Sequence, residues 1–317
     1  MGFVFRLLPR LLTRSVICKW YLEAEPVGLN ERNMRIGWAV MVAGTCLMVC
    51  GLVGCRDARP QETILQGEAM GTTWRLRYAG ETVAGLDGRV TRRLDELEAI
   101  FSTWREGSVI SRLNRGEEVA LPDEFRRVSA LAAQIGEMSG GVFDVELGES
   151  VEAAGFGSGL GGRLDYSGIA KGFAADEVGA LLESLGIDTF LFELGGELLG
   201  RGAREWRVGL ESPEPGAIGE LRRVIPLQDQ AVATSGTYRL FRGTEHHLID
   251  PRSRQPVAHD CVSVSVIAES CAEADAFATA LIVLGAEQGL VLARRLGLRA
   301  YFVRRLSDGT LIESVAE

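Results

Sequence analysis

The sequence predicts an α+β fold in which a mixed sheet and flanking helices form layers. Alternating apolar and polar residues within 63–78 and over 262–268 are typical of half-buried strands. Apolar residues at helical spacing over 86–101 predict an amphipathic helix. Helices and strands follow one another without strict alternation, which favours layers over a doubly wound parallel sheet.

Each element has a local signal in the sequence. Residues 63–78 are predicted to form two strands. A helix over 123–139 follows Pro122 and ends before Gly140, because proline suits the entry of a helix and glycine its exit. Residues 102–114 and the glycine-rich stretch 149–162 are expected to be loops. Further helices are predicted at 171–185, 273–284 and 286–296, and further strands at 189–194, 206–210, 231–235, 262–268 and the C-terminal end.

Composition limits the possible functions. A net charge of −9 argues against a nucleic-acid-binding protein, because no surplus of Lys and Arg is available to meet phosphates. Cys261 and Cys271 flank the predicted strand 262–268. Such a strand spans roughly 20 Å, whereas a disulfide needs Cα atoms within about 7 Å of each other. Two free thiols are therefore expected.

The N-terminal segment has the pattern of an export signal. Met34-Arg35 precede an uncharged apolar run from Ile36 to Gly54. The run ends in Leu-Val-Gly-Cys, which resembles the lipobox of bacterial lipoproteins and would make Cys55 the lipidated first residue of the mature chain. A plain membrane-spanning helix is the alternative, because the run is nearly long enough.

This pattern divides the chain into four parts. Residues 1–33 are a possible overlong extension, with Met34 as the true start. Residues 34–54 are the signal peptide, 55–62 the lipidated cysteine and linker, and 63–317 the folded domain. We expect a membrane-anchored lipoprotein that faces the periplasm.

The predicted helix 273–284 carries a candidate metal site. Asp275 and Thr279 are four residues apart, so a carboxylate and a hydroxyl share one face of the helix. Hard oxygen ligands suit a small hard cation such as Mg²⁺. Structural roles are the alternative: Asp275 could interact with the helix dipole, and Thr279 could bond a carbonyl one turn back.

Residues 168–172, Gly-Ile-Ala-Lys-Gly, are predicted to turn from a strand into a helix. Glycines allow the backbone to approach a ligand closely, and the helix N-terminus offers free N–H groups to an anion. The pattern is weak by itself, and a turn that binds no ligand would have the same residues.

Other candidates have single-residue signals. His247 is followed by Asp250, and a His beside an Asp can act as a general base, although a hydrogen-bonded structural histidine is the alternative. No Cys or third His lies at zinc-ligand spacing. Met70, Trp104 and Phe143 could pack on a planar ring or belong to the core.

Asp144 and Asp165 lie at predicted strand ends. There they could hold a ribose or a base edge, or they could cap turns.

These signals occur together in one order, and together they resemble the ApbE family of FAD:protein FMN transferases. The resemblance extends from about residue 64 to the C-terminus. The motifs are Met70-Gly71-Thr72, Phe101-Ser102-Thr103-Trp104, Ser111-Arg112-Leu113-Asn114, Gly141-Val142-Phe143-Asp144, Asp165 to Gly172, Leu194-Gly195-Gly196, Ala233-Thr234-Ser235-Gly236, His247-Leu248-Ile249-Asp250-Pro251, and Ala274-Asp275 through Thr279-Ala280.

The resemblance implies an enzyme that binds FAD and Mg²⁺. It would move the FMN half of FAD to a Thr or Ser hydroxyl of a flavin-carrying redox protein and release AMP. His247 is the candidate base that activates this hydroxyl. Flavin and nucleotide contacts carry over to Met70, Trp104, Val142, Phe143, Asp144, Asp165, Lys171 and Ile249. Metal contacts carry over to the carbonyl of Gly168, the carboxylate of Asp275 and the hydroxyl of Thr279.

Three positions depart from the family pattern. Tyr166-Ser167 replace a usual Leu-Gly, and Glu197 stands where Asp or Asn is usual. Ala278 stands where some members carry a second metal-binding Asp, which predicts weaker affinity for Mg²⁺. Two other functions remain open on these residues: an FAD pyrophosphatase that yields FMN and AMP, and a non-catalytic, lipid-anchored flavin-binding protein.

Overall fold

The computed structural model describes residues 62–214, 219–238, 241–242 and 245–317. The predictions for the N-terminal extension, the signal peptide and Cys55 lie outside the described residues.

Helices and strands are interspersed along the described chain. The helices are α1 (Leu86–Phe101), α2 (Val109–Asn114), α3 (Asp123–Met138), α4 (Gly148–Ala153), α5 (Ala170–Ser184) and α6 (Cys271–Leu296). The strands are β1 (Glu62–Ala69), β2 (Thr72–Ala79), β3 (Phe190–Leu194), β4 (Glu197–Arg201), β5 (Trp206–Glu211), β6 (Leu221–Leu227), β7 (Gln230–Gly236), β8 (Phe241–Arg242), β9 (Glu245–His246), β10 (Ile249–Asp250), β11 (Gln255–Pro256), β12 (Cys261–Ala268), β13 (Arg299–Arg305) and β14 (Leu311–Ala316).

One large sheet organises the described chain, with strand order β1-β2-β3-β4-β7-β12-β13-β14. The layered α+β class is confirmed. Within the sheet every neighbouring pair runs antiparallel, where the sequence analysis expected a mixed sheet. Tight hairpins are one physical reason, since the two-residue turns Met70-Gly71 and Gly195-Gly196 can join only antiparallel neighbours.

Apolar side chains are buried on both faces of the sheet. On one face, Phe192 and Leu194 of β3 belong to the main core, which includes the helices. On the other face, Leu191 and Leu198 pack with the β5–β6 hairpin around Trp206. Burial on both sides explains why β3 is a continuous apolar run apart from Glu193 rather than an alternating one.

Helix α6 is broken inside at Gly285, where φ is 75° and ψ is 172°. The two predicted helices on either side of this glycine are therefore confirmed. By length and hydropathy α6 would be able to cross a membrane, but 67% of its most apolar window is buried inside the protein. It is a core helix that packs on β7, β12 and α5.

Two predicted loops contain short helices. Helix α2 lies within the expected loop 102–114, and its N-cap residue Ser108 accepts a hydrogen bond from the Ser111 N–H. Helix α4 occupies the start of the glycine-rich stretch. Both have only six residues, too few for apolar periodicity to be recognised. The expected free thiols of Cys261 and Cys271 are confirmed, and both are buried.

Candidate active site

The first turn of α5 lies directly against the first turns of α6. The backbone N–H of Gly172 donates a hydrogen bond of 3.0 Å to Oδ2 of Asp275. A Cβ on Gly172 would lie 2.3 Å from the carbonyl oxygen of Cys271, so only glycine allows this approach. Asp275 is 4% exposed. The structure thus brings together the glycine turn and the acidic helix that the sequence analysis singled out separately.

Lys171 places a positive charge at this junction. Its ammonium forms an ion pair with Oε1 of Glu197 and lies 3.9 Å from Oδ2 of Asp275. Burial alone would lower the pKa of Lys171, but the two carboxylates outweigh it and hold that pKa above its usual value. Burial raises the pKa of Asp275, an effect that Lys171 opposes and Glu197 reinforces.

Gly168 lies beside Thr279. A Cβ on Gly168 would be 3.2 Å from Oγ1 of Thr279 and 3.4 Å from the ring of Phe143. Oγ1 of Thr279 also shares a hydrogen bond of 3.2 Å with Oγ of Ser235. The three predicted metal ligands, Gly168, Asp275 and Thr279, therefore converge on one junction between α5 and α6.

The residues at this junction are suited to a hard divalent cation. A carbonyl, a carboxylate and a hydroxyl are oxygen donors of the kind Mg²⁺ prefers. The Lys171 ammonium already brings one positive charge between two buried carboxylates. Within the described ranges no cluster of three or more His, Cys, Asp or Glu side chains has the geometry of a metal site. A cation here would therefore depend on backbone and hydroxyl oxygens as well as carboxylates.

Asp144 and Asp165 are drawn together by the backbone. The N–H of Asp165 donates to the carbonyl of Val145 across 2.7 Å. Oδ1 of Asp144 accepts from the Glu146 N–H, and Oδ1 of Asp165 accepts from the Ser167 N–H, both at 2.8 Å. The turn-forming alternative is thus present in the structure, with one oxygen of each carboxylate engaged in a local turn.

The two predicted ring contacts near the N-terminal hairpin are accessible. Trp104 is 64% exposed, so it is not a core residue. Met70 occupies the β1–β2 turn with φ of 51°, a strained region for a residue other than glycine. Its N–H donates to Oε2 of Glu98 across 3.3 Å. Backbone strain of this kind is often found at functional positions.

Three other predicted contact residues are largely buried. Val142 is 6% exposed, Phe143 5% and Ile249 4%. Phe143 reaches the junction through its ring edge near Gly168. Val142 and Ile249 would have to meet a ligand mainly through the backbone.

His247 packs its ring against Phe156, with centroids 6.2 Å apart and planes inclined by 64°. The carboxylate of Asp250 is engaged by Arg252, whose guanidinium donates to both oxygens. These hydrogen bonds hold the pKa of Asp250 below its usual value. Asp250 is thus an ionised partner of Arg252, whereas the sequence analysis considered it beside His247.

Sequence reasoning gave no role to several residues at the site. Glu197 was noted only as a departure from a family pattern, yet it pairs with Lys171. Asp176 caps α6 by accepting the N–H groups of Cys271 and Ala272. Burial raises the pKa of Asp176 to about 6. Neither contact has a local sequence signal, because each joins elements far apart in the chain.

Two solved flavin transferases share this fold. The flavin transferase ApbE from Vibrio cholerae superimposes with a TM-score of 0.73 at 28% identity, covering 81% of this chain and 98% of that one. The apo form of the Pseudomonas stutzeri flavinyl transferase ApbE gives a TM-score of 0.72 at 30% identity, covering 81% and 95%. The protein thus has the fold of the flavin transferases.

The sequence comparison agrees. The FAD:protein FMN transferase of Vibrio cholerae strain O395 is 30% identical, over 86% of this chain and 95% of the relative. The ApbE family model matches residues 70–161 and 158–302. The chain belongs to the ApbE family.

Proposed function

We propose that this protein is an FAD:protein FMN transferase. It moves the FMN moiety of FAD to a Thr or Ser hydroxyl of a target protein, requires Mg²⁺ and releases AMP. Membership of the ApbE family and similarity over most of the length of named FAD:protein FMN transferases support the reaction. The single observation that carries the choice of site is the buried junction where Gly168 and Gly172 meet Thr279 and Asp275.

The first task of the site is to bind and orient a dinucleotide. The exposed Trp104 offers a ring face on which the isoalloxazine can stack. The Gly168–Gly172 turn and the start of α5 bring backbone close to the diphosphate, and Lys171 supplies a positive charge. An acidic protein otherwise lacks cations to meet these phosphates. Mg²⁺ held by the Gly168 carbonyl, Asp275 and Thr279 would neutralise part of the diphosphate charge.

The second task is transfer. His247 takes the proton from the acceptor hydroxyl, whose oxygen then attacks the phosphorus of the FMN half. The bond from this phosphorus to the bridging oxygen breaks, and AMP leaves with that oxygen. Because positioning and charge neutralisation dominate phosphoryl transfer, a rigid junction between two helices is an appropriate support.

The experiment uses the full chain with FAD, Mg²⁺ and a candidate acceptor protein. Covalent flavin fluorescence on the acceptor supports FMN transfer. FMN and AMP without an adduct would favour the pyrophosphatase, and bound intact FAD would favour a flavin-binding protein. Asp275→Asn should abolish turnover, and the exposed Asp87→Asn is the matched control. Unchanged turnover in Asp275→Asn would overturn the metal assignment.

We also propose that the chain is anchored through a lipid on Cys55 and faces the periplasm. The support is the basic, apolar and small-residue order of residues 34–55. Metabolic labelling with a fatty acid tests it: the wild type should carry label in the membrane fraction and Cys55→Ser should not. Equal labelling of both would contradict the proposal.

A further inference from the structure

We propose that Glu197 is the second carboxylate of the divalent-cation site, and that Lys171 neutralises it until the metal and the dinucleotide bind. The inference rests on the proposed function, and it assigns a metal-binding role to a residue outside the ligands named above.

Glu197 reaches the site from the sheet, not from α6. It begins β4 directly after the Gly195-Gly196 turn and pairs with Leu194 of β3. Leu194 belongs to the core on the helical face, so Glu197 points to the same face, towards α5. Its side chain is 5% exposed. A buried carboxylate is costly unless it is paired, so its position demands a compensating cation.

One ammonium serves two carboxylates at this point. Lys171 pairs with Oε1 of Glu197 and lies 3.9 Å from Oδ2 of Asp275, which shows that both carboxylates face one cation position. The other oxygen of Glu197, Oε2, is buried and has no hydrogen-bond partner among the described residues. A buried carboxylate oxygen without a protein partner is available to a cation or a water molecule.

The Gly195-Gly196 turn lies beside this oxygen. A Cβ on Gly195 would lie 3.4 Å from Oε2 of Glu197 and 3.0 Å from Oγ1 of Thr72. Gly195 has φ of 65°, so a side chain is disfavoured there by backbone conformation as well. The absence of a side chain at Gly195 therefore lets the turn pack closely on Thr72 and on Oε2 of Glu197.

The net charge of Lys171, Glu197 and Asp275 favours the binding of a divalent cation. With Lys171 charged, Glu197 and Asp275 give the metal-free cluster one net negative charge, which attracts a dication. When Lys171 turns to the dinucleotide phosphates, Glu197 loses its partner, and a divalent cation between the two carboxylates restores the balance. Helix α6 supplies no second carboxylate one turn after Asp275, because that position is the fully buried Ala278.

The test is Mn²⁺ binding to the nucleotide-free full chain, followed by electron paramagnetic resonance. Glu197→Gln should weaken Mn²⁺ binding by roughly tenfold or more, since affinity for a hard cation follows the charge of its ligands. Metal-free FAD should bind Glu197→Gln as well as, or better than, the wild type, because one repulsive charge is removed.

The matched control is Glu193→Gln. Glu193 is 7% exposed and lies on the neighbouring strand, but it shares the opposite face of the sheet with Leu198. The Mn²⁺ affinity of Glu193→Gln should equal that of the wild type. Lys171→Gln provides a second variant: removing the competing ammonium should strengthen nucleotide-free Mn²⁺ binding.

Unchanged Mn²⁺ affinity in Glu197→Gln would overturn the proposal and leave Glu197 only as a support for Lys171. If Glu197→Gln does not fold, the Lys171 variant alone decides. Absence of FMN transfer by the wild type would instead count against the proposed function, since the Mn²⁺ titrations do not depend on transfer.

Discussion

Gly172 donates its backbone N–H to Oδ2 of Asp275 across 3.0 Å, a hydrogen bond between residues 103 positions apart. It fixes the first turn of α5 to the start of α6. The predicted metal ligands lie on α6 and in the turn that precedes α5. The approach is so close that the Cβ of Asp275 would lie 2.8 Å from a Cβ on Gly172. The geometry of the site therefore depends on a position without a side chain.

Gly172→Ala should destabilise the protein, because the added Cβ would meet the Cys271 carbonyl at 2.3 Å and α5 must move away from α6. Overpacking of this kind costs about 1–3 kcal/mol. Gly88→Ala in α1 is the control, since a Cβ there meets nothing within 4 Å. It should raise stability by about 0.5–1 kcal/mol through helix propensity. Urea unfolding of both variants measures the difference, and equal stabilities would contradict the packing argument.

Thr279→Val keeps the side-chain volume but removes the hydroxyl that contacts Ser235. Loss of this hydrogen bond should cost about 0.5–1.5 kcal/mol. We also expect a higher Mg²⁺ concentration for half-maximal FMN transfer, because one oxygen donor is lost. Thr279→Ser retains the donor and should behave like the wild type. If Thr279→Val and Thr279→Ser need the same Mg²⁺ concentration for half-maximal transfer, Thr279 is not a metal ligand.

Met70→Asn should separate stability from flavin binding. Asparagine tolerates the left-handed conformation, so relief of the strained φ of 51° should stabilise the β1–β2 turn by about 1 kcal/mol. FAD affinity, measured by fluorescence quenching, should fall because the predicted contact between the Met70 thioether and the flavin would be lost. Met138→Asn at the end of α3 removes an exposed methionine elsewhere and should leave FAD affinity unchanged. Tighter FAD binding by Met70→Asn would refute the contact.

Glu177 links three helices, since it accepts hydrogen bonds from Arg127 of α3 and Arg93 of α1. Burial alone would raise the pKa of Glu177, but the two guanidinium groups outweigh it and lower that pKa. A lowered folded-state pKa means that the stabilisation is present above the unfolded value of about 4.5 and is lost as pH falls through the folded value.

Glu177→Gln should therefore be less stable than the wild type at pH 7, by about 1–2 kcal/mol. The difference should begin to narrow as the pH falls below about 4.5, where the unfolded carboxylate takes up its proton, and it should be lost once the folded carboxylate is protonated at lower pH. Thermal unfolding across this pH range provides the measurement, with the exposed Glu137→Gln as control. A difference that grows towards low pH would show that the sign is wrong.

Local sequence patterns predicted most helices and strands, but they could not predict contacts between residues far apart in the chain. Helix α1 was placed correctly because Val90, Leu94 and Leu97 repeat at helical spacing and are all buried. Helix α2 was missed because six residues give no periodicity. The pairing of Glu197 with Lys171 joins a strand to a helix 26 positions earlier, and nothing in either segment alone indicates it.

The predicted metal ligands were in part accessible to sequence reasoning. The spacing of Asp275 and Thr279 predicted a shared helical face, and both meet the glycine turn. The sequence could not show that Asp275 is also the acceptor for the Gly172 N–H, because this depends on how closely α5 approaches α6.

The kink at Gly285 divides α6 into two helical segments. Unwinding that starts near Leu296 meets this non-helical residue before it reaches the turns that hold Asp275 and Thr279. The chain can therefore lose helical order in its 286–296 segment through local opening while the oxygen donors keep their spacing.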